Sequence, residues 1–196
     1  MLHCGIAALA KNHRRAYLRV MTATRLSPES WIQAGFDALT AQGPSALKAE
    51  ALARDLQTTK GSFYWHFKDV PAFHDALLNR WEAESLDGFQ TGEENASAVQ
   101  RLRSLAQHSE NTSTIEPAIR AWAHGSEKVA ETVARVDAKR LEELDILLSE
   151  IGLSNPELSR IIYAANLGMT ELSGLDGQRN EAALGTLVDL VLALYA

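Results

Sequence analysis

Cysteine is almost absent from this chain. Cys4 is the single one in 196 residues, which excludes an internal disulfide and a cysteine-built zinc or iron-sulfur site. A reducing compartment, the cytoplasm, fits that composition. Long apolar runs are missing too: no stretch of about 18 consecutive apolar residues occurs, which argues against a membrane-spanning helix. No alternating strand pattern competes with helical spacing anywhere along the chain. Also lacking are a glycine-rich phosphate loop, a nucleophile motif, His-Glu-x-x-His spacing and an evident carboxylate pair on an apolar background. An enzyme is therefore not expected, nor is a cofactor. His66 and His74, with Asp75, read as structural residues rather than metal ligands.

What is present is the material of a folded, helical protein. Hydrophobic residues make up 46% and charged residues 22%, with a mean hydropathy of -0.15, which is enough apolar material for a sizeable core. The net charge of -6 argues against indiscriminate coating of nucleic acid, but the charge is polarised along the sequence. Residues 1–82 hold ten Lys/Arg and seven Asp/Glu, whereas residues 83–196 hold nine and eighteen. At the start, residues 2–10 are mildly apolar and the basic residues Lys11, Arg14, Arg15 and Arg19 come after them, the wrong order for a secretory signal. Residues 1–20 show no periodicity and are expected to be a disordered extension, with Met21 a candidate natural start. The alternative is a basic arm that follows DNA.

From Ser27 the pattern is helical. Ser27 is placed to cap, Pro28 suits the first helical position, and Gly43 suits the end. Trp31, Ile32, Phe36 and Leu39 share one face of this helix. A second short helix carries Leu47, Ala51, Leu52 and Leu56 and breaks near Gln57 and Thr58; a third begins at Thr59. Pro71 restarts a helix with Phe73, Leu77, Leu78 and Trp81, and Gly88 to Ser97 then reads as a linker. Further helices are expected over residues 98–108, 116–124 and 126–151, with Gly152 a stop, followed by one opened by Asn155 and Pro156 and a last one over residues 184–195.

Residues 49–68 carry the functional signal. Two short helices joined by a tight turn and supported by a longer one form the minimal geometry that puts a helix into the DNA major groove. Ala53 is small where those helices must cross, and Leu52, Leu56 and Phe63 suit the space between them. Thr59, Lys60, Gly61, Ser62 and Tyr64 are then left for solvent. Lysine neutralises phosphates, hydroxyls bond to phosphates or base edges, and glycine permits close backbone approach.

The string Thr59-Lys-Gly-Ser-Phe-Tyr-Trp-His-Phe-Lys68, followed by a helix with Phe73 and Leu77, resembles the recognition helix and next helix of the TetR (tetracycline-repressor) family of bacterial transcriptional regulators. The close resemblance covers about residues 27–78; the rest resembles the family only in helix count and length. It implies an all-α homodimer, with an N-terminal three-helix helix-turn-helix DNA-binding domain joined through a fourth helix to a C-terminal helical ligand-binding and dimerisation domain. A small-molecule effector bound there would move the fourth helix and release a palindromic operator. By the same resemblance, Lys60, Gly61, Ser62 and Tyr64 match base- and groove-facing positions, and Thr59, Trp65, His66 and Lys68 match the cap and phosphate contacts. Lys48 stands where the family usually has a phosphate-binding hydroxyl. Gln57 replaces the glycine usual in the turn, and Glu50 occupies a position that can face DNA, read here as a solvated charge in preference to an acceptor for cytosine N4. Trp65 and Phe67 are equally balanced between DNA flank and core.

The expected division is residues 1–20 extension, 21–70 DNA-binding domain, 71–87 connecting helix and 88–196 effector and dimerisation domain. For an effector pocket the candidates are Trp81, His108, Trp122 and Tyr163, an apolar wall with a few directing groups. Glu116, Glu127 and Glu131 would suit a cationic ligand, but read more simply as a solvated helix face. The last two helices carry long apolar faces and small residues that allow close approach, so two copies can pair as a four-helix bundle. The expected interface is Leu158, Ile161, Ile162, Ala165, Gly168, Met169, Leu184, Leu187, Val188, Val191, Leu192 and Tyr195. The second reading of the chain is a helical protein-interaction adaptor that does not bind DNA.

Overall fold

The computed structural model describes residues 26–90, 96–108 and 115–195, and of residues 88–90, 106–108 and 195 the backbone only. The expected extension over residues 1–20 lies outside the described residues. Among those described there is helix and no strand. The elements are α1 (Pro28–Gln42), a 3-10 turn (Pro44–Ala46), α2 (Ala49–Asp55), α3 (Lys60–Tyr64), α4 (Val70–Gln90), α5 (Ala98–His108), α6 (Glu116–Ala123), α7 (Glu127–Glu150), α8 (Glu157–Asp176) and α9 (Glu181–Tyr195). The all-α reading holds.

Local chemistry sets most of the boundaries. At the start of α1 the Ser27 hydroxyl accepts from the Ser30 N–H at 3.3 Å, and Pro28 occupies the first turn, where its missing donor costs nothing. Gly43 ends the helix at φ +77°, its N–H donating to the Leu39 carbonyl at 2.9 Å. The long α7 stops in the same manner: Gly152 takes φ +89°, and the Gly152 and Leu153 N–H groups turn back to the Ser149 and Leu148 carbonyls. At α8 the Asn155 side-chain oxygen accepts from the Glu157 N–H at 3.0 Å.

Two apolar cores form, and they do not follow the expected division at residue 88. The first joins α1–α4 to α6 and the N-terminal half of α7, where Ile119, Trp122, Val129, Val133 and Val136 pack with Trp31, Phe63, Phe73, Leu77 and Trp81. The second joins α5, the C-terminal half of α7, α8 and α9 through Leu102, Leu144, Leu148, Leu158, Ile162, Leu184 and Val188. α4 thus lies against α1 on one side and α7 on the other. Its approach to α1 is close: a Cβ on Gly35 would stand 2.6 Å from Phe73 Cζ and 2.7 Å from Leu77 Cδ1.

Where the two cores meet, α7 carries charge into the interior. Arg140 is 7% exposed and Glu116 6%; the Arg140 guanidinium donates to Glu116 at 2.8 Å and, on its other side, to the Ser85 carbonyl of α4 at 3.4 Å. Arg120 donates to both Glu116 (2.7 Å) and Asp137 (2.6 Å), and the Tyr163 hydroxyl of α8 donates to Asp137 at 2.7 Å. Two guanidinium groups face two carboxylates, so the buried charge cancels, as a low-dielectric site requires. Glu116 is therefore neither on a solvated face nor free for a cationic ligand, whereas Glu127 and Glu131 are exposed. Burial alone would raise the Asp137 pKa, but the hydrogen bonds from Arg120 and Tyr163 hold it below the usual carboxylate value. Burial pushes the Tyr163 phenol up to about 12.

Two measurements follow from this packing. Gly35→Ala gains about 1 kcal/mol of helix propensity yet must displace the fully buried Phe73 ring, so a net loss of about 1–2 kcal/mol in urea unfolding is expected. For the charged junction the linkage signs are opposite at the two pH extremes. Asp137, with its folded pKa depressed, contributes stability above the unfolded value of about 3.9 that is lost as pH falls through the folded one; Tyr163, with its pKa raised, contributes stability below about pH 10 that is lost as pH climbs toward 12. Tyr163→Phe should remove part of the alkaline loss in a series of denaturation midpoints against pH and, because the phenol also bonds Asp137, shrink the acid limb, which Arg120 retains in part.

Candidate nucleic-acid interface

α3 is only five residues long, too short to be stable by itself. It is held by one ring. Phe63 is fully buried, with its centroid 5.3 Å from Trp31, 5.3 Å from Phe67 and 5.4 Å from Phe73, so α1, α3 and α4 converge on it. The edge-on geometry of the Trp31 and Phe73 pairs is favourable for aromatic quadrupoles. Phe67, 7% exposed, belongs to this cluster, and Trp65, 80% exposed, does not. The evenly balanced pair therefore divides: Phe67 is core and Trp65 projects into solvent.

The turn that aims α3 is built around Gln57. The Thr58 N–H reaches the Ala53 carbonyl at 2.8 Å and the Gln57 N–H reaches Arg54 at 3.1 Å, the paired bonds of a helix terminator whose central residue is usually glycine. Gln57 adopts φ +53° to make them. Here the departure noted in the sequence has a physical cost, since a side chain in the left-handed region meets the following carbonyl. Ala53 is 3% exposed and Leu52 fully buried, and both close the contact between α2 and α3.

With Phe63 turned inward, the opposite side of α3 presents the expected residues together. Lys60, Gly61, Tyr64 and Trp65 are exposed, Ser62 and His66 are half-buried, and Lys48 and Lys68 are exposed on the flanks. The Thr59 hydroxyl caps the helix, accepting from the Ser62 N–H at 3.3 Å; its own proton stays available to an acceptor. Lys60 lies 5.9 Å from the Tyr64 ring centroid and is ion-paired to Glu50 of α2. The Lys60 hydrogen bond and charge hold the Glu50 carboxyl below its ordinary value, and Glu50 raises Lys60 in return. Glu50 is thus not merely solvated: it neutralises the lysine at the head of α3. Sequence gave no signal for this contact beyond the position of Glu50 itself.

His74 has a structural use. Its Nε2 lies 3.2 Å from the Leu47 carbonyl and its ring stands edge-on to Trp122 at 5.1 Å, tying α4 to the start of the helix-turn-helix and to α6. Asp69 caps α4 by accepting from the Ala72 N–H at 2.8 Å.

The four effector candidates do not come together. Trp81 and Trp122 are buried in the first core and Tyr163 in the second, while the side chain of His108 lies outside the described residues. Tyr163 alone among them lines a described cleft. Of the expected interface residues, Leu158, Ile162, Leu184, Val188 and Val191 are at most 8% exposed. They are spent on the chain's own second core and are not free to meet another copy, which corrects that part of the expectation. Ala165, Met169, Leu187 and Leu192 are half-buried around the same core, Ile161 and Gly168 are exposed, and the Tyr195 side chain lies outside the described residues. The outward apolar row consists instead of Ile161, Leu172 and Leu175 on α8 with Leu190 and Leu194 on α9, each at least 50% exposed.

Residues 30–69 match the sequence model of the bacterial regulatory proteins of the tetR family, which bears out the resemblance over the helix-turn-helix. No curated protein matches the chain in sequence. In structure most of the chain is similar to known regulators. A transcriptional regulator from Rhodococcus sp. Rha1 superposes with a TM-score of 0.71 at 16% identity, over 87% of this chain and 96% of that one. Escherichia coli NemR in its reduced form gives 0.64 at 18%, over 82% and 94%. SmeT, the repressor of the Stenotrophomonas maltophilia multidrug efflux pump SmeDEF, gives 0.62 at 18%, over 87% and 90%. At these identities the likeness is one of fold, an N-terminal helix-turn-helix unit followed by a helical second part.

The strained turn supplies a direct check. Gln57→Gly should leave stability unchanged or raise it by up to about 1 kcal/mol, because relief of the left-handed strain offsets the added chain entropy. Gln57→Val should lower it by about 1–2 kcal/mol, since a branched side chain tolerates φ +53° least. Equal thermal midpoints for the two variants would show that the turn does not hold this conformation in solution.

Proposed function

We propose that the protein is a sequence-specific DNA-binding transcriptional regulator, a homodimeric repressor that holds a palindromic operator and releases it when a small-molecule effector binds. The observation that carries this reading is the division of α3 into two sides. Phe63 fixes the helix from within, and Lys60, Gly61, Ser62, Tyr64 and Trp65 are left facing outward with no core role for the lysine, the glycine or the exposed indole. A helix presented in this way, flanked by Lys48 and Lys68, suits a major groove and its two phosphate walls.

The same reading assigns the side chains different work. Lys60, Gly61, Ser62 and Tyr64 face base edges; Thr59, Trp65, His66, Lys48 and Lys68 position the backbone. Residues 21–82 hold six basic and seven acidic residues, so affinity rests on a few placed cations and on two-site binding rather than on bulk charge. The pairing of Lys60 with Glu50 adds a cost, because the lysine must leave or share its carboxylate when it meets DNA.

Dimerisation is supported by the outward apolar row on α8 and α9. Ile161, Gly168, Leu172 and Leu175 recur at helical spacing on one side of α8, and Leu190 and Leu194 lie one turn apart on α9. Such a surface is costly in water and is covered when a second copy packs helix against helix around a two-fold axis. Among the described residues no helix is long and apolar enough to cross a membrane; the proposed location is the cytoplasm, on the nucleoid when DNA is bound.

Selection of random duplexes at about 150 mM salt, where non-specific binding is weak, should enrich a palindrome whose half-sites lie one or more helical turns apart. Absence of any enriched site would favour an adaptor that does not read DNA. Against the enriched site, Lys60→Ala should relax preference at particular base positions by about 1–3 kcal/mol, while Lys68→Ala weakens all sequences alike and reduces the salt slope by about one. Glu50→Gln should tighten binding to every duplex and steepen that slope.

A further inference from the structure

We propose that Glu50 and Lys60 work as one unit that reads a G·C base pair, the lysine on guanine and the carboxylate on the cytosine amino group; this deepens the DNA-binding reading above and rests on it. The two side chains come from different helices. Glu50 is the second residue of α2 and Lys60 the first of α3, and their ion pair spans the turn between the two. Both are exposed, and the N-terminal turn of a recognition helix is the part that meets base edges.

The pair is held in place from within. Leu52 and Ala53 close α2 onto α3, and Phe63 fixes α3 against Trp31 and Phe73, so the separation of the two helix starts is set by buried side chains. The Tyr64 ring, 5.9 Å from the Lys60 ammonium, gives the lysine a second contact. Glu50 stays ionised: the Lys60 hydrogen bond and charge, with a lesser contribution from Lys48, hold its carboxyl below the ordinary value. Two ammonium groups thus attend one carboxylate, and the cluster keeps a net positive charge toward a duplex.

What the unit recognises follows from its donors and acceptors. An ammonium only donates and an ionised carboxylate only accepts, so the base pair must offer an acceptor and a donor side by side. Guanine presents two acceptors, N7 and O6, to one ammonium, and the N4 amino group of its cytosine lies next to O6 as the donor for Glu50. In an A·T pair the adenine N6 amino group separates N7 from thymine O4, which leaves the ammonium one acceptor, and the thymine methyl adds an apolar group beside the charges. On a phosphate the unit gains little, because the ammonium is already met and the carboxylate is repelled. Lys60 is thereby withheld from phosphates and reserved for one kind of base pair, which raises selectivity while lowering general affinity.

Selection of random duplexes with the full chain and with its Glu50→Ala, Glu50→Gln and Lys60→Ala variants tests this. Both positions are exposed, and thermal midpoints matched to the wild type show that the fold is kept. The wild type should enrich a palindrome with a G·C pair in each half-site at which cytosine is preferred about tenfold, and Glu50→Ala and Lys60→Ala should lose preference at that same pair. In Glu50→Gln the preference should move toward A·T, since a glutamine amide pairs with adenine N6 and N7, so the tightening expected of that variant is about tenfold smaller on the cytosine duplex. Replacing that cytosine by pyrimidin-2-one, which lacks only the amino group, should weaken wild-type binding about tenfold, whereas Glu50→Ala should bind both duplexes alike. An enriched palindrome with the same base preferences in wild type and Glu50→Ala, or an A·T pair at the position the two residues govern, would overturn the unit and leave the regulator reading standing. No enriched palindrome from wild type or variants would overturn both.

Discussion

The packing of Phe63 is the constraint on which the outward surface depends. A five-residue helix has no stability of its own, and its direction is set by the one side chain it buries, enclosed by Trp31 of α1 and Phe73 of α4 with Phe67 beside it. Because Phe63, Trp31 and Phe73 come from three different helices, the angle of α3 is locked to the angle between α1 and α4. Gly35 sets that angle by letting α1 approach Phe73 and Leu77 without a methyl group between them. The residues that face DNA in the proposed function are thus oriented by residues that never leave the interior.

A second constraint lies at the other end of α4. The helix is held by apolar contacts along most of its length, but at Ser85 it is held by a guanidinium. Apolar contacts are tolerant of small slides, whereas a hydrogen bond to a carbonyl is made or lost over about an ångström. The same Arg140 bonds Glu116 of α6 and Tyr163 of α8, so three helices of the second part converge on one point of the helix that begins beside α3. This arrangement gives the chain a discrete joint in place of a graded one.

Much of this architecture was legible in the sequence, for reasons that can be named. Ser27, Gly43, Gly152 and Asn155 announce helix ends because capping chemistry is local, and both ends of α1, the end of α7 and the start of α8 follow from it. The outward set on α3 was legible because Phe63 had to be inside. Long-range charge was not. Glu116 reads with Glu127 and Glu131 as a solvated face, and nothing local to it announces the pairing with Arg140 of α7 that accompanies its burial. The apolar sides of α8 and α9 were misassigned for a related reason. Both helices are apolar on more than one side, and periodicity cannot say which side meets the chain's own core. Leu158, Ile162 and Val188 went inward while Leu172, Leu175 and Leu194, absent from the expected interface, face out.

The two cores cut across the order of the chain, and this bears on how such a protein can be dismantled. Ile119, Trp122 and Val133 complete the same cluster as Trp31 and Trp81, so the first 87 residues carry an interior that they cannot close alone. Severing the chain at the boundary suggested by its composition would strip α4 of its cover by α7 and leave His74 without Trp122, a fragment prone to clump rather than a portable DNA reader. Recombination that swaps second halves between relatives of this fold would therefore have to carry α6 and the start of α7 with the first half, or supply new side chains of matching shape.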